Sequence, residues 1–206
     1  MPKILGIVGS PRRNGNTHIL VSKILEGARE EGAVVETVFL GELDIQECDG
    51  CHACWEGKTC SKKDDMNGLY TKIIESDGIV FGTPVYWYGP TALMKGLVDR
   101  FVYFNCPENR ARIRGKSAII AVPLEEENPE TAALVVAFFE KCFRYLEMKL
   151  AARIIVPGVS GKGEILGKKS RLEEAHKIGR NVAKGMHSLQ PLQALFRPAN
   201  NREKRP

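Results

Sequence analysis

Ile4-Leu5-Gly6-Ile7-Val8-Gly9-Ser10-Pro11-Arg12-Arg13-Asn14-Gly15-Asn16-Thr17 joins an apolar run to a polar loop bounded by glycines. The run from Ile4 to Val8 does not alternate with polar residues, as expected for a strand covered on both faces. Behind the loop, Ile19, Leu20, Val21, Ile24, Leu25 and Ala28 recur at helical spacing, and Gly32 closes the segment. Strand, glycine-rich turn and helix form the opening unit of a parallel α/β sheet. The turn then lies at the carboxyl edge of the sheet, where such folds bind ligands.

The alternation continues outward. Ala33 to Leu40 reads as the second strand, Ile79-Val80-Phe81 as the third, Ser117 to Val122 as the fourth and Ile154-Ile155-Val156 as the fifth. Between and after them, helices are expected around Leu93 to Phe101, from Glu130 to Met148 and from Ser170 to Met186. Five strands interleaved with helices imply a doubly wound parallel sheet, and right-handed crossovers favour the flavodoxin-like order 2-1-3-4-5. Residues 41–63 interrupt the alternation after strand 2 and read as a cysteine-rich insertion. Residues 1–188 are expected to form one domain, and 189–206 an arm or disordered tail. The 206 residues, 43% hydrophobic and 27% charged, suffice for one well-filled core.

The net charge is +5. Arg197, Arg202, Lys204 and Arg205 against Glu203 place three of those charges in the tail and leave two on the body, which argues against a nucleic-acid partner. No apolar run reaches the length of a membrane span, and the amino-terminal run passes directly into the glycine turn instead of a signal-peptide cleavage site. A cytoplasmic location is the expectation. Six cysteines in a reducing compartment then point to metal or redox chemistry before structural disulfides.

The loop from Gly9 to Thr17 suits a phosphate. A helix amino-terminus presents unpaired N–H groups and a positive dipole end. Ser10, Asn16 and Thr17 carry hydrogen-bonding side chains, and Arg12 can pair with a phosphate dianion. A Walker A loop has four residues between its glycines and then a lysine; here there are five, and Asn16 stands in the lysine position. The G-x-G-x-x-G dinucleotide pattern is absent as well. ATP or GTP chemistry is therefore disfavoured.

Two further motifs follow in order: Thr83-Pro84-Val85-Tyr86-Trp87-Tyr88-Gly89-Pro90 after the third strand, then Leu93-Met94-Lys95-Gly96-Leu97-Val98-Asp99-Arg100. Together with the phosphate loop they resemble the NADPH-dependent FMN reductase group of flavodoxin-like proteins, over residues 3 to 185. The resemblance implies FMN, its phosphate held by Ser10, Arg12, Asn16 and Thr17, with Asn14 in the same cofactor-binding loop. Pro84, Val85, Tyr86 and Trp87 are expected to carry the flavin ring, since aromatic side chains and backbone N–H groups suit a planar ring with polar edges. Packing of Tyr86, Trp87 and Tyr88 in a subunit contact is the competing reading, and both can hold. Lys95, Asp99 and Arg100 read as surface ion pairs on a helix.

Cys48, Cys51, Cys54 and Cys60 stand at C-x2-C-x2-C-x5-C spacing. Three cysteines at two-residue intervals wrap a short loop around one small object, which suits a [4Fe–4S] cluster closed by the fourth. A zinc ribbon usually has two knuckles separated by a long span, which is missing here. A redox-active disulfide from a Cys-x-x-Cys pair is the alternative. The spacing resembles the iron–sulfur flavoprotein branch of the same family, which implies a cluster near the flavin within a homodimer or homotetramer. Asp64 and Asp65 are expected to cap a helix starting near Met66, and His52 to be a bystander or hydrogen-bond donor. Cys142 reads as a buried structural thiol. In the resembling reductases the segment at Glu125-Glu126-Glu127 lies near the flavin's dimethylbenzene side or the phosphate; the glutamates either repel an anionic substrate or, as expected here, begin the helix after strand 4.

The expected function is an FMN-dependent oxidoreductase passing electrons between FMN and the cluster. The alternatives are an NAD(P)H-dependent FMN or quinone-type reductase without a cluster, and a non-enzymatic carrier for ferredoxin-like partners. Neither a Ser-His-Asp set nor paired carboxylates suggest hydrolysis, so no side chain is assigned as a catalytic group.

Overall fold

A computed structural model describes residues 1–193, with side chains through Met186. Five strands, β1 (Lys3–Val8), β2 (Val34–Phe39), β3 (Gly78–Gly82), β4 (Ser117–Pro123) and β5 (Lys149–Val156), form one parallel sheet in the order β2-β1-β3-β4-β5. The helices are α1 (Asn16–Glu30), α2 (Met66–Glu75), α3 (Ala92–Asp99), α4 (Pro107–Ile113), α5 (Ala133–Tyr145) and α6 (Lys169–Gln193).

Side chains on successive strand residues point to opposite faces, so the continuous apolar strands feed two cores. Leu5, Ile7, Phe81 and Ile120 face one layer, with Met94, Phe139 and Phe143 from α3 and α5. Ile4, Val8, Val80 and Ile119 face the other, with Leu20 and Ile24 of α1. Full burial of each such side chain contributes about 1.5–3 kcal/mol.

In that second layer α1 and α6 approach backbone to backbone. A Cβ on Gly27 would lie 2.0 Å from the His176 carbonyl oxygen, and one on Gly179 would lie 1.9 Å from that of Ile24. The contact sets the depth of α1, and thereby of the loop preceding it.

The expected strand order is the observed one. Several boundaries differ for physical reasons. The first half of β5 is an edge with exposed Lys149, Leu150 and Ala151, so it lacks the apolar signal that marks residues 154–156. The expected helix through Phe101 ends at Asp99, continues as a tighter 3-10 segment over Arg100–Asn105 and gives way to α4, which Pro107 starts in its first turn. Cys106 is buried at that junction. Residues 43–65 hold neither strand nor α-helix and connect β2 to α2, so the cysteine-rich segment is an expanded connection inside the alternation. The last helix runs beyond the expected boundary at residue 188 to Gln193; the expected arm from residue 194 onward lies outside the described residues. Among the described residues, no helix is long and apolar enough to cross a membrane.

Candidate functional site

β1 lies between β2 and β3, where the strand order reverses, and the loops after β1 and β3 leave the sheet side by side. The Gly9 N–H donates to the Gly82 carbonyl at 2.7 Å. Thr91, buried at the cap of α3, donates from Oγ1 to the Gly9 carbonyl at 2.6 Å and accepts from the Met94 N–H at 3.2 Å. Its own N–H donates to Thr83 Oγ1 at 3.1 Å. The phosphate loop and the aromatic loop are thus bolted together before any ligand arrives.

Gly15 caps α1 without a side-chain acceptor, so the first-turn N–H groups of α1 are available to an anion. Ser10 accepts from the Arg12 N–H at 3.3 Å, and Gly15 N–H donates to the Arg12 carbonyl at 3.1 Å, which curls the loop around that helix end.

One cleft of about 110 Å3 brings Ser10, Arg12, Asn16 and Thr17 together with Pro84, Val85 and Tyr86, walled by Leu124, Glu125, Val159 and Ser160. Enclosed small-molecule pockets run to about 300–1,000 Å3. The cleft is smaller than that range, large enough for a phosphate-sized group. Asn14 and Trp87 are outside its lining. Asn14 has φ +56° and donates its N–H to His18 Nδ1 at 3.1 Å. Trp87 is 97% exposed. It forms with Tyr88 the tip of a two-residue turn in which Tyr86 and Gly89 exchange backbone hydrogen bonds of 2.9 and 3.0 Å. Both tip residues have positive φ, +48° and +61°, a strained geometry for bulky side chains.

Asn16 acts differently from the expected phosphate donor. Its amide donates to the Val159 and Gly161 carbonyls at 3.2 and 2.9 Å and accepts from the Ile165 N–H at 3.1 Å. It ties the loop after β5 onto the phosphate loop, while Arg12 adds a 3.3 Å bond to the Ser160 carbonyl. Arg13 turns away to pair with Glu42 and lies 4.2 Å from the Phe39 ring centroid. Glu125, Glu126 and Glu127 lie in a loop, and α5 starts only at Ala133. Glu125 stands at the cleft, as the expected position near the flavin or the phosphate has it, but in a loop and not in a helical first turn.

The cysteine segment packs against the 3-10 segment that follows α3, and Arg100 bonds to it at Gln46 and Cys60. Gly50, His52 and Gly57 all take positive φ, which winds the chain tightly around Cys51 and Cys54. All four cysteines are free thiols. Cys54 is buried; burial first, and then the charges of Cys60, Cys48 and Cys51, push its thiol up. The other three sulfurs thus lie within electrostatic reach of Cys54. Among the described residues, the one set of three ligand atoms within 4.8 Å of each other is Glu26, Glu30 and His176, so no three of the cysteine sulfurs are that close. A tetrahedral zinc site with Zn–S near 2.3 Å would hold its sulfurs about 3.8 Å apart. The cysteine sulfurs do not have that spacing.

Arg100 is the site residue that sequence reading missed. It is 1% exposed and forms a bidentate pair with the sealed Asp64, at 2.5 and 3.1 Å. The same guanidinium donates to the Gln46 carbonyl at 2.8 Å and to the Cys60 sulfur at 3.2 Å. Burial pushes the Asp64 carboxyl up, but Arg100 and the N–H groups of Gln46 and Met66 outweigh it and hold the group below the usual range. Asp64 does contact the start of α2, through the Met66 N–H at 3.2 Å. Asp65 instead accepts from Asp44 N–H at 2.8 Å and so clamps the base of the cysteine segment. Lys95 and Asp99 form the expected surface pair at 2.6 Å. Cys142 is half-buried, with its thiol pushed up chiefly by burial.

A five-stranded parallel sheet with an anion cradle at its reversal point defines a flavodoxin-like ligand-binding protein. Residues 2–162 match the model of the NADPH-dependent FMN reductase family, and the chain belongs to that family. It is 42% identical over 98 residues to an iron-sulfur flavoprotein of Methanocaldococcus jannaschii, covering 48% of this chain and 51% of that protein. It is 33% identical over 165 residues to an iron-sulfur flavoprotein of Archaeoglobus fulgidus, covering 80% of this chain and 81% of the relative. The match thus spans about half the length of the first relative and most of the second. Among solved structures, a flavone reductase superposes with a TM-score of 0.71 at 26% identity, over 91% of this chain and 64% of the other.

Proposed function

We propose that the protein is an FMN-dependent oxidoreductase in which FMN exchanges electrons with a [4Fe–4S] cluster held by Cys48, Cys51, Cys54 and Cys60. The observation that carries the reading is four free thiols in one wound segment, Cys54 buried and within electrostatic reach of the other three, on a fold whose sheet edge forms a phosphate cleft. When bound, FMN supplies hydride or one-electron chemistry and the cluster supplies one-electron transfer.

The chain's own contribution is placement and electrostatics. Ser10, Thr17 and the first-turn N–H groups of α1 hold the phosphate, and Arg12 neutralises it. Asn16 serves by fixing the 159–165 loop over that end. The Pro84–Tyr86 backbone presents the ring platform, and Trp87 extends it at the rim. Asp64 and Asp65 hold the base of the cysteine segment through the Gln46 and Asp44 N–H groups, which fixes where the segment carrying the four cysteines leaves and rejoins the fold.

The donor is NAD(P)H or a ferredoxin-like protein. A groove of about 550 Å3 beside Cys60, edged by Lys62, Lys63 and Arg112, offers an acidic protein donor a basic face. A homodimer or homotetramer accords with the exposed Trp87 tip.

An anaerobic reductive titration tests the reading. It should consume about three electrons per chain, two at the flavin and one at the cluster. An end point at two electrons, with iron at background, would leave the cluster-free reductase as the function. Rapid reduction by NADPH or NADH, compared with reduced ferredoxin, separates enzyme from pure carrier.

A further inference from the structure

Arg100 sits on a stretch where sequence suggests a surface ion pair, yet it is among the most deeply buried side chains in the protein. A buried cation is costly unless it is paired and its donors are satisfied. Asp64 takes two of its hydrogen bonds and the Gln46 carbonyl a third. These three would suffice to clamp the cysteine segment to the end of α3. The contact that a clamp does not need is the fourth, from the second guanidinium nitrogen to the Cys60 sulfur at 3.2 Å.

We propose that Arg100 is a positioning residue for the cluster: held by Asp64, it fixes the Cys60 sulfur as a ligand and raises the cluster's reduction potential. The inference rests on the cluster reading above. Hydrogen bonds to the ligand sulfurs and local net charge are among the levers that set iron–sulfur potentials. Reduction adds a negative charge to the cluster, and an N–H donor aimed at one ligand sulfur stabilises that added charge. Asp64 offsets the cation's long-range field, so the effect on the cluster is carried by the directed N–H contact from Nη2, the nitrogen Asp64 also holds, to the Cys60 sulfur. Among the described residues, the other cysteine sulfur with a side-chain hydrogen-bond partner is that of Cys51, 3.2 Å from Ser61 Oγ. That neutral, exposed contact is the weaker of the two.

The test uses holoprotein purified without oxygen, as wild type and as the variants Arg100→Met, Arg100→Lys, Asp64→Asn and Lys95→Met. Iron per chain is counted, and the cluster and FMN midpoint potentials are measured in one spectroelectrochemical titration, with electron paramagnetic resonance following the cluster. Arg100→Met should lower the cluster's reduction equilibrium constant about tenfold, about 59 mV for one electron, and leave the FMN potential in place. Arg100→Lys keeps the charge and loses the fork, so it should fall between. Asp64→Asn removes a nearby negative charge and should shift the cluster in the opposite direction. Lys95→Met, which removes an exposed charge from α3, the helix preceding Arg100, should leave the potential unchanged. Equal cluster potentials in wild type, Arg100→Met and Asp64→Asn at full iron content would overturn the proposal. If Arg100→Met fails to fold or to retain iron, unshifted potentials in Arg100→Lys and Asp64→Asn overturn it instead. A wild-type protein with FMN and no iron overturns the cluster reading itself, a different result.

Discussion

Thr91 Oγ1 donates to the carbonyl oxygen of Gly9 at 2.6 Å, inside the protein, and this bond joins the loop after β1 to the loop after β3. Replacing Thr91 with Val leaves the Gly9 carbonyl buried without this donor and removes the acceptor for the Met94 N–H. The expected cost is about 1–3 kcal/mol, read as a lower denaturant midpoint. FMN affinity should fall with it, because both walls of the cleft lose their common anchor. Thr91→Ser, which retains the hydroxyl, should recover most of both.

Arg12 lines the cleft with one hydrogen bond to the protein, to the Ser160 carbonyl, so its charge is available to a phosphate. Arg12→Ala should weaken FMN binding by about 1.5–3 kcal/mol, the range for hydrogen bonds to charged groups. Riboflavin, which lacks the phosphate, should bind the variant and the wild type alike. Flavin fluorescence titrations with the two ligands distinguish this from a general loss of the site.

His18 accepts the Asn14 N–H on Nδ1 and packs edge-on against Phe39 at 4.7 Å. Burial, and then the charge of Arg13, push its pKa down, so the folded protein favours the neutral ring. Below about pH 6.5, the ordinary value, the unfolded chain takes up a proton that the native chain resists. Stability contributed by the neutral ring should be full above that pH and decline as pH falls toward the native pKa. His18→Gln should show a flatter dependence between pH 7.5 and 5.5 in urea denaturation. Parallel curves for the two proteins would contradict the assignment.

The α1–α6 contact leaves no room at Gly179. Gly179→Ala forces the helices apart and should cost about 1–3 kcal/mol by overpacking, although alanine is the better helix former. A thermal melt checks the sign: a raised midpoint would mean that the helices are not seated this closely.

The sheet was legible because β1, β3 and β4 are covered on both faces and so read as continuous apolar runs. The edges were less legible: the exposed Lys149-Leu150-Ala151 hid the start of β5, and short α4 is marked only by Pro107. At the site, loop composition placed Ser10, Arg12, Thr17 and Pro84–Tyr86 at one sheet edge, and the structure brings them into one cleft. Composition could not tell that Asn16 spends its amide on a loop about 145 residues away, because that is a tertiary fact. Arg100 was misread from its neighbours Lys95 and Asp99. The signal was available in the spacing: Arg100 follows Leu97 by three residues and adjoins Phe101, on the buried stripe that continues to Phe104.

The most direct measurement is the cofactor content of protein purified without oxygen. The account predicts one FMN and about four iron and four sulfide per chain, with flavin bands superimposed on a broad cluster absorption. Arg12→Ala should lose FMN and keep its iron, while Cys54→Ala should lose iron and keep FMN. Protein that holds no flavin even after incubation with excess FMN would contradict the central claim.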